Sequence, residues 1–330
     1  MASLGHVSER DAGHGWPQPA RLSVGIVSAG RVGTAVGAAL ERAGHVVSGC
    51  VAGSDDSVAR AHARLPETRI LEVEAVASAA ELLILAVPDT ELKGVVDRLA
   101  ASGVGFDGRI VAHTSGANGV GILAPLAEDG ATCLAIHPAM TFTGDAADTD
   151  RLASACFGVT ASDQVGLAIA QSLVLESGGE PVIIPEQSRT LYHAALAHGS
   201  NHLVTLVRDA STALAAALRG PEACGDNAGG PVPIDGAPTT GGTITGQDGA
   251  PERILAPLLT AALDNALRYG DRALTGPVAR GDGCAVDSHL RVLAEEDAGI
   301  AESYRALALR TARRAQAPTN LIDRLEERST

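Results

Sequence analysis

The residues best suited to chemistry fall in four places along this 330-residue chain. The first is Ser28-Ala29-Gly30-Arg31-Val32-Gly33, between an apolar run (Leu22 to Val27) and an amphipathic stretch. Small residues at this spacing let backbone N–H groups at a helix N-terminus approach a pyrophosphate closely. Ser28 replaces the first glycine of the usual G-x-G-x-x-G, so the strand–turn–helix context carries the dinucleotide reading. The second place is a set of strand ends: Val87-Pro88-Asp89, His113-Thr114-Ser115-Gly116 and His137-Pro138. Ligands of open α/β sheets bind at such carboxyl ends. Val87, Pro88, Thr114, Ser115 and Gly116 are therefore expected on the nicotinamide side, and Ser115 and His137 also toward substrate. The third place holds His193, His198, Asn201 and His202, and the fourth Thr275-Gly276-Pro277 with Arg280 and Asp282.

The ribose end narrows the cofactor. A bare ribose usually meets an acid at the end of the second strand, here Ala52-Gly53-Ser54, with no carboxylate before Asp55. Ser54, Ser57 and Arg60 suit a 2′-phosphate instead. The reading favours NADP over NAD, with Asp55 keeping NAD open.

Reducing a carbonyl beside a nicotinamide needs a hydride, a proton donor for the developing alkoxide and, where the substrate is an acid, a pocket for its carboxylate. An imidazole, with an ordinary pKa of about 6.5, can donate that proton near neutral pH. On one helix His193 and Asn201 lie ~80° and ~12 Å apart, whereas His198 and Asn201 lie ~60° and ~4.5 Å apart. His198 and His202 have the i,i+4 spacing of a metal pair, but no cysteine or HExxH-type carboxylate accompanies them, and no metal is expected. Thr275-Gly276-Pro277 reads as a helix start whose free N–H groups, with Arg280, hold a substrate carboxylate; the alternative is an interhelical turn with Arg280 solvated. Asp282 caps the next helix.

The elements that position these residues are legible from periodicity. Leu22 to Val27, Val46 to Ala52, Ile70 to Leu71, Leu82 to Val87, Arg109 to His113, Thr132 to His137, Phe157 to Thr160 and Val182 to Ile184 read as strands. Arg31 to Ala43, Ser57 to Arg64 and Gln164 to Ser177 read as helices, the first closed by Gly44. The alternation predicts an α/β fold, a Rossmann doubly wound parallel sheet over 21–185. After Pro185 only helices follow: Glu186 to Leu218, Ile254 to Tyr269, Asp282 to Ala294 and Ala298 to Arg314. They predict an all-helical C-terminal domain over 186–330, interrupted by a Gly/Pro-rich mobile insertion at 220–251. Residues 1–20 are expected to be a flexible extension. Small residues at Ala261 to Asn265 and at Ala308 suit close helix packing in a homodimer.

Composition excludes several classes. A net charge of −14 argues against a nucleic-acid partner. No apolar run approaches ~18 residues, so no membrane span is expected. The five cysteines form no CxxC pair, which suits thiols in a reducing cytoplasm. Lysine occurs once, at Lys93.

The segments Val24 to Gly33, Leu85 to Asp89, His113 to Ala117, His137 to Phe142, Leu191 to Leu203 and Thr275 to Asp282 together resemble the bacterial Rossmann-like proteins with a DUF2520 C-terminal domain. The resemblance covers nearly all of Leu22 to Arg314 outside the insertion. It implies an NAD(P)-binding oxidoreductase similar in architecture to pyrroline-5-carboxylate reductase, 6-phosphogluconate dehydrogenase and ketopantoate reductase, whose helical second domain completes the site and often dimerises. Ketopantoate reductases carry on the corresponding helix a lysine, an asparagine four residues on, and an Asn-Pro-Leu-Thr run four further on. Here His193 stands at the lysine and Ala197 at the first asparagine, while Asn201 matches, so the resemblance implies that Asn201 touches substrate, with His193 or His198 as the acid. With Lys93 outside that helix, the family's acid is absent as such. Three readings follow: a reductase of a small 2-oxo acid such as ketopantoate, an imine reductase of the pyrroline-5-carboxylate type, or a nucleotide-binding regulator without turnover.

Overall fold

The computed structural model describes residues 21–219 and 249–327, so the expected N-terminal extension and nearly all of the expected insertion lie outside the described residues. The chain forms two compact units, Met1–Ser200 and Asn201–Thr330. The first therefore extends past the boundary drawn at Pro185, where the pattern turns to helices only, for a reason that lies in α8 below.

The first unit is built on an eight-stranded sheet of β1 (Ser23–Val27), β2 (Val46–Val51), β3 (Arg69–Ile70), β4 (Leu82–Leu85), β5 (Ile110–His113), β6 (Thr132–Pro138), β7 (Cys156–Ala161) and β8 (Glu180–Ile183), ordered β3-β2-β1-β4-β5-β6-β7-β8. Strands β1 to β6 are parallel in the doubly wound order. All four residues of β4 are buried, which is why its sequence is a continuous apolar run. Alternate residues feed two cores: Ile26, Ile84 and Leu134 on one face, Val27, Leu83 and Leu85 on the other.

The expectation of a wholly parallel sheet is corrected at one edge. β7 runs antiparallel to β6, with Pro138 opposite Phe157, and β8 runs parallel to β7. Between Pro138 and Cys156 there is only a short helix, α6 (Ala147–Leu152), packed against α1 (Arg31–Arg42). Without a crossover helix the chain re-enters the sheet at the edge it has just left.

Helix α1 ends where expected, at Gly44 with φ +93°. Helix α2 (Asp55–Arg64) starts before Ser57, because Ser54 and Ser57 form a reciprocal capping box. The remaining helices here are α3 (Val73–Ala79), α4 (Asp89–Ala101), α5 (Ala124–Ala127) and α7 (Gln164–Glu176). Helix α8 (Arg189–Arg219) follows a 3-10 turn at Glu186–Ser188. Its first turns lie along the β6–β7 pair: Arg189 bonds at the level of Ala135, and Tyr192 at the level of His137. This contact places residues up to Ser200 in the first unit.

The second unit contains α9 (Ala250–Tyr269), α10 (Gly276–Arg280), α11 (Gly283–Glu296), α12 (Ala298–Arg314) and α13 (Thr319–Glu326). Ala250 and Pro251 are helical, so the expected insertion ends earlier than Pro251; a first-turn proline has no N–H to leave unpaired. Asp282 caps α11 as expected, accepting from the Ala285 N–H at 3.0 Å. Val286, Leu290, Ala312, Leu321 and Leu325 form its core. Among the described residues no helix is long and apolar enough to cross a membrane.

Leu134 is fully buried in the central strand β6. Leu134→Ala is expected to lower unfolding free energy by about 2–5 kcal/mol, read as a lower urea midpoint at unchanged m-value.

Candidate functional site

The turn after β1 is shaped by two steric facts. Ser28 adopts φ +80°, a left-handed conformation that a serine holds only under strain. A Cβ on Gly33 would stand 2.1 Å from the Ser28 carbonyl oxygen, so only glycine fits there. The buried Ala29 donates its N–H to the Val51 oxygen at 2.7 Å, tying the turn to the end of β2. Gly30 precedes α1 in an extended conformation, and no side chain caps the helix. The first-turn N–H groups, from the exposed Arg31 through Val32 and Gly33, are thus left for solvent or an anion.

Beside the turn lies a cleft of about 400 Å³, lined by Ser28, Gly30, Ser54, Arg60, Val87 and Pro88 among others. The sequence-predicted cofactor residues of β1, β2 and β4 therefore meet in one place. Their hydroxyls are partly spent: Ser57 Oγ donates to the Ser54 oxygen at 2.8 Å, and Ser54 Oγ accepts from the Ser57 N–H at 3.2 Å. Arg98 in the cleft wall is neutralised by Glu74 through two bonds of 2.7 and 2.9 Å. Arg60 differs, since its buried Nε has no hydrogen-bond partner among the described residues. Asp55, the first residue of α2, is exposed.

A second cluster forms at the ends of β5 and β6. His113 is fully buried, accepts the Ser115 N–H at Nδ1 (3.2 Å) and donates from Nε2 to the Gly119 oxygen (2.9 Å). Burial pulls its pKa down to about 4, so it is a neutral imidazole with both nitrogens occupied. It shapes the loop that follows. Thr114 donates its N–H to the Leu85 oxygen, and Ser115 Oγ accepts from the N–H and Nδ2 of Asn118 at 3.0 and 2.9 Å. Glu186 closes the loop's far end by accepting from the Val120 and Gly121 N–H groups at 2.9 and 3.0 Å.

Gly116 is then flanked by two imidazoles. A Cβ there would lie 2.7 Å from His193 Cδ2 and 2.9 Å from His137 Nε2. The His137 and His193 rings stand nearly perpendicular, with centroids 6.1 Å apart. His137 Nδ1 is 2.9 Å from the Tyr192 hydroxyl. Burial, then the Arg189 charge, hold its pKa at about 4. One hydrogen bond thus joins Nδ1 to the Tyr192 hydroxyl, and Nε2 faces Gly116.

Arg189, Tyr192 and Glu186 carry this arrangement, and motif reading passed over all three. Arg189 is 1% exposed and donates to Thr160 Oγ1 (2.8 Å) and to the carbonyls of Ser115 (3.3 Å), Ala135 (2.9 Å) and Gly158 (3.0 Å). The available signal was its position: a cation at the first residue of a helix opposes the macrodipole and needs another reason to be there.

The structure thus gathers Ser115, Gly116, His137 and His193 into one cluster. His198 is exposed further along α8. Asn201 and His202, also exposed, belong to the second unit, as do Thr275 and Arg280. Thr275 precedes the five-residue α10, where Pro277 falls in the first turn as read from sequence, and it lines a groove of about 470 Å³ with Leu206, Asp209 and Tyr304 among others. Among the described residues no group of three or more His, Cys, Asp or Glu is disposed to hold a metal ion.

Residues 9–138 match the Rossmann-like domain model, and residues 155–311 match the domain of unknown function DUF2520. No curated protein matches the chain. Among solved structures, a Bacteroides fragilis protein described as an NADP oxidoreductase is similar at TM-score 0.66 and 16% identity, covering 89% of this chain and 98% of that one. A reductive aminase from Aspergillus terreus, in complex with NADPH and ethyl levulinate, is similar at TM-score 0.58 and 16% identity, covering 92% and 99%. Pyrroline carboxylate reductase from Plasmodium falciparum, with NADP bound, follows at TM-score 0.51 and 9% identity, covering 89% and 98%. At such identities the likeness is one of fold.

The two depressed imidazoles set a pH dependence of stability. In the unfolded chain His113 and His137 protonate near 6.5, but in the folded chain only near 4. Between those values the unfolded state binds more protons, so their contribution is complete above about pH 6.5 and is lost as pH falls toward 4. Urea midpoints measured across that window should decline, and His137→Gln should flatten the decline.

Proposed function

This chain belongs to the Rossmann-like and DUF2520 domain-containing proteins, and we propose that it is an NADPH-dependent reductase of a small 2-oxo acid, ketopantoate being the leading candidate. The observation that carries the reading is a juxtaposition along one sheet edge. A dinucleotide-type turn and cleft sit at the ends of β1, β2 and β4, and two imidazoles flank Gly116 at the ends of the neighbouring β5 and β6.

The residues fit the cofactor. The uncapped first turn of α1 suits the pyrophosphate, and the unpartnered Arg60 Nε suits a 2′-phosphate. Exposed Asp55 leaves NAD as the weaker option. NADPH, when bound, supplies the hydride. The backbone of Thr114 to Gly116 lines the nicotinamide side. In this reading the Tyr192 O–H donates to Nδ1, so His137 carries its proton at Nε2 and donates a hydrogen bond from it to the substrate carbonyl oxygen. As the carbonyl carbon gains the hydride, that oxygen becomes an alkoxide and takes a proton from His193, which is half-buried and recovers one from solvent.

A second reading, an imine reductase, is favoured by one observation: α8 carries no lysine, and an imine can arrive already protonated. The reductive aminase and the pyrroline carboxylate reductase of similar fold support it. Purified protein offered NADPH or NADH with ketopantoate, other 2-oxo acids and pyrroline-5-carboxylate separates the readings by cofactor oxidation. We expect turnover of a 2-oxo acid with NADPH, a loss of about 10²–10⁴ in kcat for His193→Ala, and NADPH affinity about tenfold weaker for Arg60→Ala with NADH unaffected. NADPH binding without turnover of any substrate would leave only a nucleotide-binding regulator. Unchanged turnover in Asn201→Ala would remove that residue from the substrate.

We also infer a homodimer formed through the helical unit. Ile254, Leu258, Leu263 and Leu267 of α9 are 48%, 62%, 53% and 80% exposed, and helical spacing puts the first two and last two on opposite sides. A helix apolar on both sides is ordinarily covered. The cytoplasm suits the free thiols Cys50, Cys133, Cys156 and Cys284. Sedimentation equilibrium should give twice the chain mass, and the double substitution Leu258→Glu, Leu267→Glu should shift it toward the monomer.

A further inference from the structure

The guanidinium of Arg189 is buried yet meets only neutral acceptors: three backbone carbonyls and one hydroxyl. Glu186, the acid at the preceding 3-10 turn, spends both oxygens on the Val120 and Gly121 N–H groups and acts on Arg189 only through its charge, with no hydrogen bond between them. The charge also stands at the first residue of α8, where the macrodipole opposes it. Replacing a buried ionic group by an uncharged one of similar volume often stabilises a protein, so packing alone does not call for arginine.

Geometry indicates what the charge and its fork do. Nη2 bridges Ala135 on β6 and Gly158 on β7, the strand pair that carries His137 two residues later. Nη1 reaches the carbonyl of Ser115, whose neighbour Gly116 separates the two imidazoles. Nε holds Thr160, whose hydroxyl donates to the Ile184 oxygen. One side chain therefore fixes both walls of the Gly116 site. We propose that Arg189 is a positioning and specificity-determining residue: its fork sets the Ser115–Gly116 backbone against His137, and its buried charge favours a substrate whose reacting atom gains negative charge over one that arrives as a cation. The substrate half rests on the reductase reading above; the field acting on His137 does not.

The groups facing His137 are Arg189, Tyr192 and His193 on α8, His113 on β5 and Asp89 at the start of α4. Arg189→Gln removes the charge and keeps a donor; Arg189→Lys keeps the charge and loses the fork. Imidazole NMR on the full chain should show His137 titrating near 4 in the native protein. The midpoint should stay low in Arg189→Lys and rise by roughly one pH unit or more in Arg189→Gln. The ratio of kcat/KM for the 2-oxo acid over the imine should fall about tenfold in Arg189→Gln and recover in Arg189→Lys. Thr160→Val, which loosens the fork but keeps the charge, should lower kcat while NADPH affinity holds; this variant decides the positioning role if Arg189→Gln does not fold. An unmoved His137 midpoint or an unchanged substrate ratio in a folded Arg189→Gln overturns the proposal. A native chain that reduces nothing sinks the reductase reading alone, and the titration still decides the field.

Discussion

A guanidinium donated into the carbonyls of an antiparallel strand pair is the contact on which the Gly116 site depends. Arg189 is buried where β6 and β7 meet, and its bonds to Ala135, Gly158 and Thr160 anchor the first turn of α8 to the sheet. That anchor is available only because β7 turns back on β6, which brings the Gly158 carbonyl within reach of the Ala135 carbonyl. Three residues along α8 the same alignment delivers Tyr192 to His137, and then His193 to Gly116. A wholly parallel sheet would present a different register to this helix.

The other half of the sheet edge is governed by close approach. Gly33 and Ser28 occupy space that no Cβ at position 33 can share, and Ala29 is held to β2 by its own N–H. Ser28 is the exception to ordinary turn chemistry. Its strained φ is retained at the point where the chain passes from strand to helix, and such strain concentrates at functional turns. The two halves are joined through neighbouring strands β4 and β5, whose ends carry Val87, Pro88 and the His113 loop.

Burial decides the character of the histidines. His113 and His137 are kept neutral, one with both nitrogens satisfied and the other with its Nε2 facing Gly116. The sequence shows three histidines near strand ends and a helix start, and local pattern does not say how deeply each is buried or what it meets. Tertiary packing separates a structural imidazole (His113) from one whose Nε2 faces Gly116 (His137) and one half-exposed beside it (His193).

Local rules were enough for much of this molecule. The turn at Ser28 to Gly33, the buried strand Leu82–Leu85, the Gly44 helix end and the Asp282 cap were legible because each depends on residues within a few positions of one another. The meeting of Ser28, Gly30, Ser54, Arg60, Val87 and Pro88 at one cleft was legible for a related reason, since doubly wound sheets gather successive strand ends along one edge. The antiparallel edge, the extension of the first unit to Ser200 and the role of Arg189 were not. Each depends on contacts between residues tens of positions apart, such as Arg189 with Ser115 and Ala135. Sequence by itself determined the elements and the edge at which they end, because hydrophobic period and turn sterics are local. Only the tertiary structure decided which histidines meet, because the direction of β7 and the seating of α8 are set by packing across the sheet.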